Sequence, residues 1–72
     1  MRELVRTNDP VLLSWLGALL RDSGIEPMVF DTHTSVLEGS VGAIPRRMMV
    51  ADDDYEAARR LVIDAGEGAQ LA

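Results

Sequence analysis

The residues best equipped for chemistry lie between Asp31 and Arg47, in the stretch DTHTSVLEGSVGAIPRR. It holds the sole histidine, His33, with carboxylates at Asp31 and Glu38 and hydroxyls at Ser35 and Ser40. Three chemistries are worth weighing. His33 with Asp31 and Glu38 suggests a cation, but one histidine without cysteine makes a poor metal site, and hydrogen bonding within the segment is the simpler role. His33 with Ser35 suggests a nucleophile and its base, yet no third residue is evident to orient the pair. Gly39, Ser40 and Gly42 can turn backbone N–H groups toward an anion, with Arg46 and Arg47 as counter-charges. That spacing is neither a phosphate-binding Walker loop nor a dinucleotide fingerprint. The plain alternative is a turn followed by a strand whose arginines face solvent.

The elements around this segment follow from patterning. Glu3 to Arg6 alternates weakly and predicts a short first strand. Asp9 and Pro10 start a helix: proline suits the first helical position and pushes Asp9 into the extended backbone of an N-cap. Leu12, Leu16 and Leu19 mark its apolar face, widened by Trp15 and Leu20, and Trp15 is expected in the core. Gly24 ends the helix in the left-handed conformation, with Ile25 placed to touch Leu20. EPMVFD is the second strand, with Pro27 at its start or on a sheet edge. RRMMVA is the third, with Met48 and Val50 on one face and Arg47 and Met49 on the other. Asp52 or Asp53 is expected to cap a second helix, Asp53 and Glu56 having capping-box spacing. Its stripe is Tyr55, Ala58, Leu61, Val62 and Ala65; Arg59 and Arg60 form the solvated face, with Glu56 and Arg60 spaced to pair. Gly66 stops it, and residues 67–72 form a tail or a short fourth strand.

The order β-α-β-β-α predicts an α+β, ferredoxin-like domain over residues 1–66, with sheet order 1-3-2 and two helices on one face. The long connection between the second and third strands stands out. Connections in compact domains have a median of about 4–6 residues, and those beyond about 12 are commonly functional or disordered. This one carries Val36, Leu37, Val41 and Ile44, which dock either on the domain itself or on a partner.

Composition narrows the function. At 72 residues the chain is one small domain with a marginal core. It has no Cys and no Lys, and its net charge is −5. Such acidity repels phosphate backbones, so nucleic acid is a poor partner. RNA recognition on this fold also lacks its aromatics, since Phe30 is the sole aromatic on a strand. VLLSWLGALL is too short for a membrane span of about 20 residues and lacks the flanks of a signal peptide. It reads as a buried helix, and the protein as cytoplasmic.

Two stretches, ELVRTNDPVLLSWLGALLRDSGIEPMVFD and GAIPRRMMVADDDYEAARRLV, resemble a family of small bacterial domains described as signal-transducing proteins. The matching features are a strand entering N-D-P, D-x-G-I-E after the helix, and G-x-I-P before the central strand. The resemblance implies a ferredoxin-like fold and a signalling role, and no catalytic residue. A looser likeness in fold is to the nitrogen-regulatory PII proteins, whose effector loop occupies the topological place of residues 31–44 here. None of their nucleotide motifs is matched.

The reading that results is a non-enzymatic regulatory binding module without cofactor or metal. It engages a protein partner or a small anionic effector through residues 31–45, with His33, Ser35, Glu38, Gly39, Ser40, Gly42, Arg46 and Arg47 as binding residues. The competing readings are a structural, dimerising domain without ligand and a small enzyme using His33. Strand one is an open edge in the 1-3-2 order, so either a homodimer through it or the tail paired against it is expected.

Overall fold

The computed structural model describes residues 1–31 and 46–72. Its elements are β1 (Arg2–Thr7), α1 (Pro10–Asp22), β2 (Met28–Asp31), β3 (Arg46–Val50) and α2 (Tyr55–Asp64), with short 3₁₀ turns at Asp52–Asp54 and Gly68–Gln70. The sheet order is β1-β3-β2, with β3 antiparallel to both neighbours. This is the expected α+β, ferredoxin-like arrangement.

Local chemistry explains the start and end of α1. The Asp9 carboxylate accepts from the N–H groups of Val11 at 2.9 Å and Leu12 at 3.2 Å, satisfying two helix-start donors. Ser23 closes the helix and Gly24 takes φ 82°, a left-handed conformation that a side chain would strain. The Ile25 N–H then donates to the Leu20 carbonyl at 2.9 Å, a Schellman ending, and both side chains enter the core.

The start of α2 departs from expectation. Asp52–Asp54 form a 3₁₀ turn, and Asp54 precedes the helix with no side-chain cap. The backbone does the work instead, with the Asp54 N–H donating to the Ala51 carbonyl at 2.9 Å. Three carboxylates in that turn still favour the positive end of the helix. Glu56 and Arg60 form no ion pair among the described residues.

One core unites the sheet and both helices. Leu4, Val5, Met48 and Val50 from the strands meet Leu13, Leu16, Leu20 and Ile25 from α1 and its ending, and Ala58 and Val62 from α2. Trp15 lies outside it, 48% exposed, which corrects the sequence reading. The stripe that packs is Leu13, Leu16, Gly17 and Leu20, and Trp15 lies roughly 100° around the helix from Leu16. Leu12 and Leu19 flank the core and are partly buried.

β1 carries a bulge. Glu3 pairs with Met49 and Val5 with Met48, leaving Leu4 as the extra residue. Two consecutive side chains, Leu4 and Val5, are thereby both fully buried, which a regular strand does not allow. The tail covers this edge: Leu71 bridges Val5, and the Ala72 N–H donates to the bulged Leu4 carbonyl at 2.9 Å. The tail pairing, one of the two expectations for strand one, is present. It makes a single bridge, and Gly68–Gln70 before it is a 3₁₀ turn.

Candidate functional site

The helices pack on the Met48 and Val50 side of the sheet, so the other side is free of them. Register assigns its residues, because directly paired strand positions point the same way. Arg6 and Phe30 both pair with Arg47, while Glu3 and Met28 both pair with Met49. The face is therefore two rows of three: Arg6, Arg47 and Phe30 in one, and Glu3, Met49 and Met28 in the other.

The bulge creates the first ion pair on this face. Residues three apart on a regular strand point to opposite sides, but the extra residue brings Glu3 and Arg6 onto the same one. The Arg6 guanidinium grips the carboxylate with both prongs, Nε to Oε2 at 2.7 Å and Nη2 to Oε1 at 3.0 Å. The bond from Arg6 holds the Glu3 carboxyl below the usual carboxylate range, against a smaller opposing effect of burial. The charges of Arg6 and Arg47 add to the lowering. The same pairing raises Arg6.

Arg47 is the unusual member. Its Nε is buried and has no hydrogen-bond partner among the described residues. A donor on a charged group left unmade in this way is costly, and it is the kind of vacancy a ligand oxygen fills. One carboxylate faces two guanidiniums here, so the cluster of Glu3, Arg6 and Arg47 carries an excess of one positive charge on a chain whose net charge is −5. Half-exposed apolar side chains flank it: Phe30 at 39% and Met28 at 48%. The surface suits an anionic group with an apolar portion.

Of the residues singled out from sequence, Arg46 and Arg47 fall within the described residues, and the sheet separates them. Arg47 stands on the helix-free face, whereas Arg46, opposite Thr7 and Asp31 in the backbone ladder, alternates onto the Met48 side and has an interaction of its own. Adjacent residues on a strand point opposite ways, so a sequence doublet does not make a double-arginine site. His33, Ser35, Glu38, Gly39, Ser40 and Gly42 lie outside the described residues. Sequence reasoning did not find Glu3, Arg6, Met28 or Phe30 as neighbours of Arg47. Only the cross-strand register, bulge included, places them together. Among the described residues there is no cluster of three or more His, Asp or Glu side chains suited to a metal. No helix among them is long and apolar enough to cross a membrane.

Fold and face together define a small α+β domain with one helix-covered side and one charged, partly apolar side. A family model described as "Putative prokaryotic signal transducing protein" matches residues 1–66, and the chain belongs to that family. No curated protein matches it.

Proposed function

We propose that this domain is a non-enzymatic regulatory module of the bacterial cytoplasm that binds an anionic group on the helix-free face of its sheet, centred on Arg47. The observation that carries this reading is the buried Arg47 Nε, which has no partner among the described residues. Arg6 is already committed to Glu3, so Arg47 supplies the uncompensated charge. Phe30 and Met28 supply apolar contact on one side of it. In the chain, residues 32–45 connect β2 to β3, the strands that carry Phe30 and Arg47, and a connection of that length favours a binding role. The shared chemistry is a phosphate or carboxylate, delivered by a small effector or by an acidic segment of a partner protein.

The test is a thermal-shift and calorimetric titration with inorganic phosphate, a panel of nucleotides, and a blocked peptide of alternating Glu and Leu. A ligand of the folded state must raise its stability. We expect at least one probe to bind and its affinity to fall about tenfold or more in Arg47→Leu, the scale of one charge-assisted hydrogen bond. Preference for nucleotide or for peptide separates the two sources. Absence of binding across the panel, or binding that survives the substitution, overturns the reading.

A further inference from the structure

The exposed tryptophan has a setting of its own. Trp15, Val11 and Leu12 on α1, Asp9 at its start and Glu67 from the tail line a shallow, open cleft of about 240 Å³. Val11 is 75% exposed and Trp15 48%, so the helix presents a strongly apolar ridge to solvent beside two carboxylates. Neither carboxylate has a cationic partner among the described residues. The Asp9 side chain accepts only from backbone N–H groups, through Oδ1. Glu67 is fixed by its backbone, its N–H donating to the Val62 carbonyl at 3.0 Å, with no ion pair to its side chain.

We infer that this cleft receives an arginine side chain of a basic, apolar-flanked segment of a partner protein. An indole face attracts a cation, and more strongly once water is excluded. Two carboxylates at its rim outweigh the partial positive charge at the start of α1, roughly half an elementary charge. Within the molecule the same chemistry is already used: the Arg2 guanidinium lies 3.6 Å from the centre of the Tyr55 ring. The net charge of −5 draws a basic partner toward the domain as a whole. Its shallowness argues for a side chain presented by a partner surface over a free small molecule, which concave pockets bury on most sides. Val11 and Leu12 then offer contact to apolar residues on either side of the inserted arginine. The cleft lies on α1 and the tail, away from the Arg47 face, and its occupancy is independent of what that face binds.

Trp15 is the sole tryptophan, so its fluorescence reports on the cleft directly. The probes are a blocked Leu-Arg-Leu peptide, the same peptide with citrulline for arginine, and N-acetyl-arginine amide. We expect a saturable change in Trp15 emission with the arginine peptide. Its affinity should fall at least tenfold in the Asp9→Asn, Glu67→Gln double variant, and it should weaken with added salt. Asparagine still caps a helix, so α1 keeps its start. Trp15→Ala, followed by calorimetry, is the second variant, and it too should bind at least tenfold more weakly. No saturable change, equal binding of the citrulline peptide, or binding unaltered in both variants overturns the inference. Equal affinity for the free arginine amide overturns the assignment to a protein partner.

Discussion

β3 shows its two faces to different surroundings. Met48 and Val50 are fully buried against the helices, while Arg47 and Met49, the residues alternating with them, are half-buried on the other side. On the first side the core is wholly apolar: among the described residues no polar or charged residue belongs to the buried class. On the second it has kept an arginine whose buried Nε has no partner among the described residues. A small domain with a marginal core gains from the first choice and loses from the second. What the comparison teaches is that stability is carried by one face, and that the other tolerates an arrangement that stability alone would not favour.

The sharpest way to break this comparison is to shorten a side chain on each face. Met48→Ala should destabilise by about 2–5 kcal/mol, since it opens a cavity in a packed core. Met49→Ala should cost under about 1 kcal/mol, the usual range for partly exposed positions. Urea denaturation measures both. Similar losses for the two would show that the helix-free face is as tightly packed as the core.

The tail offers the next largest effect. Ending the chain at Gly66 removes the Leu71 bridge and the packing of Leu71 against the core, and should cost about 1–2 kcal/mol. It also bares the edge of β1, so sedimentation should show concentration-dependent association that the full chain lacks. A truncated chain that stays monomeric and equally stable would mean that the edge needs no cover.

Arg47→Leu should act in the opposite direction. Removing an unsatisfied buried donor leaves stability unchanged or raises it by up to about 1 kcal/mol, while anion binding is lost. A clear loss of stability would assign Arg47 a structural role and weaken the proposed function.

The smallest effect concerns pH. The Glu3 carboxyl is held low by Arg6, so the folded state binds its proton less readily than the unfolded chain. Stability from this pair is therefore fully present above the ordinary carboxylate range and is lost as pH falls through the depressed value. Because the pair is exposed, the change should be slight and reduced by salt. Glu3→Gln should flatten the acid limb of the stability profile a little. A profile identical to that of the parent would show that the pair contributes nothing in solution.

By itself the sequence determined the features that depend on near neighbours. Asp9, Pro10, Gly24 and Ile25 act within one helical turn, so the start and end of α1 were legible from residue type and spacing. The alternation in β3 and the β-α-β-β-α order likewise rest on local period and on how few ways such elements can pack. The capping of α2 was misread because three consecutive aspartates offer several registers, and the backbone took a 3₁₀ turn that needs none of them. Trp15 was misplaced because a helix with apolar residues nearly all round does not say which side meets the sheet. Tertiary structure alone decided the candidate site. The bulge at Leu4 brought Glu3 beside Arg6, the register set Phe30 opposite Arg47, and the strand sent Arg46 away from it. Those outcomes depend on hydrogen bonds between segments far apart in the chain, and a register shift of one residue would send every side chain to the other face.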